Sequence, residues 1–308
     1  MRSQQELLEQ IKVLSEHIWE RRVKQEDVDA WLANFATARE QHLALHLLAQ
    51  FSHFGTVELR ELLKSLYRDL FRYEVLQEIR ATNANSVDEG LLEAAFRVEL
   101  EHTRFLGMGN PSESGTHLLY YFRQENQLQK DLFIGTHRIF TRTGGEERKL
   151  VLRETSVRRY VFIDDFCGSG TQALDYSREA VEDLIAMAPG VKVSYLCLAA
   201  TQSGLAAVRR QSKFTQVDAI FVLDDSFKCF VDGSRYFLPE EANDRLEARS
   251  CMYEHGLKLW RSYPLGYKDG QLLVGFAHNV PDNTLPVIWA AGDRWSPVFR
   301  RYHKIVGA

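Results

Sequence analysis

The sequence predicts an α/β protein in which an all-helical N-terminal module precedes a mostly parallel β-sheet with flanking helices. Three observations lead to this prediction. Apolar residues recur at steps of three and four through the first part of the chain. Three continuous apolar runs follow later, VRRYVFIDD, VKVSYLCLAA and AIFVLDD. Helical stretches separate these runs, and apolar strands that alternate with helices are typical of a parallel sheet covered on both faces.

The N-terminal module is predicted to extend over residues 1–83. Leu7 and Ile11 belong to the apolar face of a first helix. A second helix is expected from about Val28 to Phe54, and a third follows the break at Gly55-Thr56. Three helices joined by short connections form a small bundle, which is compatible with a winged-helix-like unit.

The α/β domain is predicted to occupy residues 84–308. Ser86 and Glu89 indicate a capping box for a helix that continues through Leu100. The three apolar runs are expected to be strands, and a helix is expected from about Thr171. A later helix leads to a tail with two further strand candidates, QLLVGFAH and PVIWA.

Composition and charge argue against several classes of protein. The chain has 308 residues and a formal net charge of −4, which gives no general attraction to nucleic acids or anionic membranes. It has no apolar stretch long enough to span a membrane, and its charged N-terminus lacks the apolar core of a signal peptide. Its four cysteines form no CxxC pair, so their spacing indicates neither a zinc site nor a disulfide scaffold. A cytoplasmic location is therefore expected.

The strongest chemical signal is the segment VFIDDFCGSGTQ, residues 161–172. Asp164 and Asp165 end an apolar strand, and parallel sheets bind their ligands at that end of the strands. The loop Gly168-Ser169-Gly170 leaves backbone N–H groups accessible, and the N-terminus of the following helix favours anions. A phosphate bound to the loop, together with a sugar or Mg²⁺ bound to the acids, accounts for both the loop and the acid pair. The alternative is that Asp165 or Ser169 only caps the helix and Asp164 is solvated.

The segment is neither a P-loop nor a dinucleotide-binding fingerprint. It has the form hydrophobic–DDxxx[ST]G and so resembles the phosphoribosyl-diphosphate (PRPP) motif of type I phosphoribosyltransferases. It looks most like the phosphoribosyltransferase-like proteins of prokaryotic conflict systems, which are found beside antiviral components that include retron reverse transcriptases. The stretches GNPSESGTHLLYYFRQEN and PLGYKDGQLLVGFAHNVPDNTLPVIW also match, so the resemblance covers most of the chain.

The resemblance implies a phosphoribosyltransferase-like sheet and assigns roles to individual residues. Asp164 and Asp165 would bind the ribose hydroxyls at the catalytic centre, and Mg²⁺ would accompany PRPP. The 5′-phosphate would be held by Gly168, Ser169, Gly170, Thr171 and Gln172. Thr171 and Gln172 stand where the usual loop has a second glycine and a threonine, and the flexible catalytic loop of housekeeping members has no clean match. Phosphate binding survives these departures more easily than turnover does.

A second anion loop is predicted upstream of the acid pair. Ser112, Ser114 and Gly115, with Arg123 downstream, would bind the pyrophosphate group, since a guanidinium suits two-pronged phosphate contact. The alternative is a surface turn followed by a helix with a solvated arginine.

Polar residues in the tail are also candidates. His278, Asn279 and Asn283 offer donors and acceptors of the kind that read the edge of a base, although a loop between two strands is the alternative. Asp224 and Asp225 also end an apolar strand, where acids are often only caps.

The resemblance implies an effector of an antiviral defence system that binds PRPP or a related nucleotide. If the protein is catalytic, the reaction would be displacement at the ribose anomeric carbon. Its partners would be neighbour-encoded defence proteins, such as a reverse transcriptase with its RNA–DNA product, and a homo- or hetero-oligomer is compatible with this role. Two alternatives stay open. One is a non-catalytic nucleotide sensor that controls assembly with partner proteins. The other is a nucleic-acid-binding adaptor acting through the N-terminal helices, which predicts salt-dependent binding.

Overall fold

The computed structural model describes residues 1–109, 114–144, 149–292 and 294–301, with the backbone alone for residues 114–117. The chain forms two compact units: Met1–Leu59 with Leu223–Ala308, and Arg60–Val222. This division differs from the boundary predicted after residue 83. Residues 1–59 share a hydrophobic core with the C-terminal part of the chain, and residues 60–83 belong to the other unit.

Helices and strands alternate through most of the chain. The helices are α1 (Gln4–His17), α2 (Gln25–Leu32), α3 (Ala38–Leu48), α4 (Thr56–Ser65), α5 (Tyr73–Thr82), α6 (Glu89–Glu101), α7 (Ser114–Glu125), α8 (Thr171–Tyr176), α9 (Glu182–Met187), α10 (Gln202–Gln211), α11 (Ala242–Leu259) and α12 (Pro286–Trp289). The strands are β1 (Ser52–Phe54), β2 (Thr103–Gly107), β3 (Phe140–Arg142), β4 (Leu150–Leu152), β5 (Arg159–Cys167), β6 (Lys192–Thr201), β7 (Gln216–Leu223) and β8 (Val274–Phe276). The π-helical segments Leu66–Arg72 and Ser177–Val181 join α4 to α5 and α8 to α9.

A four-stranded sheet in the order β2-β5-β6-β7 is the framework of the unit Arg60–Val222. β5 pairs in parallel with β2 on one side and with β6 on the other. Val161, Phe162 and Ile163 of β5 are fully buried, which is the reason that this strand reads as a continuous apolar run. The predicted α/β class with a mostly parallel sheet is confirmed.

Helices cover the face of the sheet that carries Phe162 and Tyr195. Val181, Leu184 and Val208 are fully buried in this layer. Burying a side chain of this kind contributes about 1.5–3 kcal/mol, so the helices that flank the acid-pair loop are firmly attached to the sheet.

The other unit joins the two ends of the chain. β1 pairs in parallel with β8, so that His53 lies opposite Gly275. Trp31 is fully buried, and its indole N–H donates to the carbonyl of Val287 at 2.7 Å. The all-helical N-terminal module is not confirmed, because β1 takes part in a sheet whose other strand lies far along the sequence.

Local predictions in this unit and at α6 need correction. The single helix expected from Val28 to Phe54 is wrong, because the chain leaves α2 after Leu32 and β1 follows α3. The predicted strand PVIWA is the short helix α12, which begins at Pro286, a residue that suits the first turn of a helix. Asp88 rather than Ser86 caps α6, since its side chain accepts from the Leu91 N–H.

Within the residues that the structure describes, no helix is long and apolar enough to cross a membrane.

Candidate functional site

The predicted phosphate loop lies at the carboxyl end of β5, between Cys167 and the start of α8 at Thr171. Gly170 has a left-handed backbone conformation with φ of 76°. A Cβ atom on Gly170 would lie 2.9 Å from the carbonyl oxygen of Gly204 and 2.9 Å from a methyl group of Val208. Only glycine satisfies both the backbone angle and the close approach at this position.

A second helix N-terminus holds the loop in place. The Thr201 hydroxyl donates to the carbonyl oxygen of Gly168 at 2.6 Å and accepts from the Gly204 N–H at 2.9 Å, so it caps α10 while fixing the loop. A Cβ atom on Gly204 would lie only 2.0 Å from the carbonyl oxygen of Gly168. The loop and the first turn of α10 are therefore packed backbone against backbone.

Hydroxyl groups border the start of α8. Ser169 Oγ lies 2.9 Å from Thr171 Oγ1, and the Thr171 N–H reaches Ser169 Oγ at 3.4 Å. Both side chains are half-buried, and Gln172 is exposed. The helix that begins here runs to Met187 through its π-helical segment, so the partial positive charge of its N-terminus faces this loop.

The two adjacent acids differ in burial. Asp164 is 7% exposed. Its Oδ2 accepts from the Tyr195 hydroxyl at 2.8 Å, and its Oδ1 accepts from the Asp165 N–H at 3.0 Å. Asp165 is half-buried at the end of the sheet. The alternative that Asp164 is solvated is therefore wrong.

Burial dominates the electrostatics of Asp164. It raises the pKa of the Asp164 carboxyl well above its usual value, and the charge of Asp165 raises it further. Burial also raises the pKa of Tyr195 well above its usual value, with a further contribution from Asp164. The carboxyl and the phenol thus form a buried hydrogen-bonded pair beneath the loop.

Cys167 is not activated as a nucleophile. Burial raises the pKa of its thiol to about 12, so the thiol keeps its proton near neutral pH. A buried thiol that keeps its proton packs as a small apolar side chain.

The predicted pyrophosphate loop is only partly described. Ser112 lies outside the described residues, and so do the side chains of Ser114 and of its neighbours up to residue 117. Ser114 and Gly115 form the first turn of α7, which packs against β5. Arg123 is half-buried, with its guanidinium carbon 5.9 Å from the centre of the Tyr120 ring. Its role in binding pyrophosphate stays a prediction.

The tail residues belong to the other compact unit. Asn283 is buried, and its amide donates to the carbonyl of Tyr267 at 3.1 Å. Asn279 accepts from the Val280 N–H at 2.9 Å. These contacts order their own loop, and base recognition by these two residues stays a prediction.

Asp224 has the role of a cap. Its carboxylate accepts from the Ser226 N–H at 2.9 Å, and its hydrogen bonds to Ser226 lower its pKa.

Comparison of the whole sequence with protein families decides the assignment. Residues 28–301, well over half of the chain, match the family PRTase-CE. The chain belongs to the PRTase-CE family. The phosphoribosyltransferase-like fold predicted from the acid-pair motif is thereby confirmed. The match includes every candidate site residue from Ser112 to Asn283.

Solved phosphoribosyltransferases resemble this PRTase-CE chain only distantly. The Helicobacter pylori xanthine-guanine-hypoxanthine enzyme is 10% identical with a TM-score of 0.27, over 56% of this chain and 89% of that one. The orotate enzyme of Aeropyrum pernix is 17% identical with a TM-score of 0.23, over 45% and 78%. The Trypanosoma brucei adenine enzyme, solved with AMP, pyrophosphate and ribose-5-phosphate, is 15% identical with a TM-score of 0.24, over 52% and 79%. No curated protein matches the sequence. These identities and TM-scores are too low for the roles of residues in those enzymes to be assigned to residues of this chain.

Three residues that build the candidate site were not identified from the sequence: Tyr195, Thr201 and Gly204. A threonine at a junction from strand to helix is a detectable N-cap signal. Tyr195 carried no such signal, because a tyrosine inside an apolar run usually indicates only a core position.

Proposed function

We propose that this PRTase-CE protein binds PRPP, or a related ribose-phosphate nucleotide, at residues 164–172. The observation that carries the proposal is the loop Gly168–Gly170, which is fixed between the first turns of α8 and α10 at the carboxyl end of β5. A phosphate on such a loop accepts hydrogen bonds from backbone N–H groups. The dipole of a helix N-terminus also stabilises its negative charge. Ser169 and Thr171 add hydroxyl donors.

The two acids have different roles in this proposal. Asp165, half-buried at the end of the strand, is the carboxylate that accepts hydrogen bonds from the ribose hydroxyls. Asp164 is buried, and its contacts with the Asp165 N–H and with Tyr195 fix the backbone that presents Asp165. Asp164 therefore acts mainly as a positioning residue.

The site fits Mg²⁺ delivered with the ligand. Mg²⁺ in phosphate sites is usually bound by one or two carboxylates together with substrate phosphates, and Asp165 offers a carboxylate at the end of the strand. Mg²⁺ would neutralise the charge of a departing pyrophosphate group. The chain itself would orient the ribose through Asp165 and the 5′-phosphate through the loop, and this placement is what accelerates displacement at the anomeric carbon.

Binding without turnover is the second candidate. Thr171 and Gln172 replace residues of the usual loop, a change that favours a nucleotide sensor over an enzyme. The two functions differ in one readout: an enzyme releases pyrophosphate from PRPP in the presence of its acceptor base, whereas a sensor returns PRPP unchanged.

Calorimetric titration of the full chain with PRPP and Mg²⁺ tests the proposal. Asp165→Asn is expected to weaken binding about 10- to 100-fold, because a hydrogen bond to a charged group contributes about 1.5–3 kcal/mol. Asp175→Asn is the matched control, since Asp175 is an exposed acid on α8 whose loss should leave the affinity unchanged. Equal affinities in all three proteins would contradict the proposed role of Asp165.

The resemblance to conflict-system proteins also supports a proposed role in antiviral defence, with neighbour-encoded proteins as partners. Phage plating on cells that carry the complete operon tests this role. Asp165→Asn is expected to abolish protection and Asp175→Asn to retain it. Full protection by the Asp165→Asn operon would show that ribose-phosphate binding is not needed for defence.

A further inference from the structure

Three different metal-ligating side chains meet in the unit formed by residues 1–59 and 223–308. Glu40 lies on α3, whereas Cys251 and His255 lie four residues apart on α11 and therefore share one face of that helix. One donor atom from each residue, a carboxylate oxygen, a thiol sulfur and an imidazole nitrogen, lies within 4.8 Å of the other two. Nε2 of His255 is 3.7 Å from Oε2 of Glu40.

These separations are close to those of a tetrahedral metal site. Zinc bond lengths of about 2.0–2.3 Å place neighbouring donors roughly 3.5 Å apart. The pair of Glu40 and His255 is already near that spacing, at 3.7 Å. No pair of donors exceeds 4.8 Å, so small rotations of the side chains close the site.

Surrounding contacts orient two of the donors. The Ala36 N–H donates to Oε2 of Glu40 at 2.8 Å. The ring of His255 packs against Phe35 and Trp295, with ring centres 5.0 Å and 5.3 Å away. Outer contacts that fix the ligating side chains are a regular feature of metal sites. The side chain of Glu40 is 28% exposed, which leaves a path for an ion.

We propose that Glu40, Cys251 and His255 form a binding site for a divalent transition-metal ion, with Zn²⁺ the best fit to one sulfur, one nitrogen and one oxygen donor. A water molecule completes the four-coordinate shell. As the bond from sulfur to the metal forms, the thiol of Cys251 releases its proton to solvent.

The ion would join the two ends of the chain. It links α3 to α11, the same two helices that Arg39 connects through its ion pairs with Asp244 and Glu247. The sequence did not reveal the site, because the third ligand comes from a segment far from Cys251 and His255. The site is independent of the ribose-phosphate proposal, which concerns the other compact unit.

Titration of the metal-free full chain with Co²⁺ tests the site, since Co²⁺ replaces Zn²⁺ and gives a charge-transfer absorption when a thiolate binds it. We expect one equivalent of Co²⁺ to produce this absorption and Zn²⁺ to abolish it. Cys251→Ser should lose the absorption. Cys229→Ser should keep it, because Cys229 is a buried thiol of the same unit that lies outside the cluster.

His255→Gln gives a second measurement that leaves the buried thiol in place. Removal of a contact that only orients a metal ligand typically weakens metal binding roughly 10- to 100-fold. His255→Gln removes a ligand itself, so it should weaken Co²⁺ binding by more than this. Excess Zn²⁺ should raise the thermal unfolding midpoint of the wild type and of Cys229→Ser, but not that of His255→Gln. A wild-type chain with no thiolate absorption, or His255→Gln with wild-type affinity, would overturn the proposal.

Discussion

A Gly204→Ala variant is expected to lose stability and ligand binding together. A helical glycine replaced by alanine normally gains about 0.5–1 kcal/mol of stability. At position 204 the added methyl group would lie 2.0 Å from the carbonyl oxygen of Gly168, so the loop or the first turn of α10 must move. Overpacking of this kind costs about 1–3 kcal/mol, which reverses the usual sign. Chemical denaturation measures the change.

The same movement should damage the phosphate loop. We expect the affinity for PRPP with Mg²⁺ to fall at least about tenfold in Gly204→Ala, because misplaced loop donors lose more than about 1.4 kcal/mol of binding free energy. Gly90→Ala is the control: Gly90 lies on α6, where a Cβ would meet only the side chain of Asp88. A Gly204→Ala protein that is as stable as the wild type and binds PRPP equally would refute the packing of loop against helix described above.

Replacement of Asp164 by Asn is expected to change the pH dependence of stability. Burial, followed by the charge of Asp165, raises the pKa of Asp164 in the folded chain well above its usual value. Folding therefore takes up a proton at any pH between the unfolded pKa of about 3.9 and the raised folded pKa. The contribution of Asp164 to stability is fully present below the unfolded pKa and is lost as the pH rises through the folded pKa.

The side chain at position 164 of the Asp164→Asn variant carries no charge at any pH. The stability of this variant therefore does not fall with rising pH through deprotonation at this position. Relative to the wild type, Asp164→Asn should gain free energy of unfolding as the pH rises above about 4, by at most about 1.4 kcal/mol per pH unit. Urea denaturation of both proteins at several pH values from about 5 to about 8 measures the difference. Asp175→Asn controls for the loss of an exposed acid. A difference between Asp164→Asn and the wild type that stays constant with pH would contradict a raised pKa.

The sheet that carries the site was predictable because strong local patterns encode it. β5 and β6 are apolar runs, and burial on both faces requires such runs. β7 is also an apolar run, although it is the last strand of the sheet and its Phe221 and Val222 are exposed. Asp164 and Asp165 stand out because a Gly-Ser-Gly loop follows them closely in the sequence, although both lie inside β5, which continues to Cys167. Gly170 is explained by its left-handed backbone conformation.

Contacts between distant segments were not predictable. β1 is a three-residue strand whose partner, β8, lies near the other end of the chain, and no local pattern marks it. The two acids also carry equal weight in the sequence motif. Only the fold shows that Tyr195 covers Asp164 and leaves Asp165 half-buried at the end of the sheet.

A crystal structure of the full chain grown with PRPP and Mg²⁺ tests the central claim most directly. The account predicts the 5′-phosphate within hydrogen-bonding distance of the Ser169 and Thr171 hydroxyls, with the ribose hydroxyls on Asp165. Ligand bound at another surface, or a loop without ligand in crystals grown at a concentration that saturates binding in solution, would contradict it.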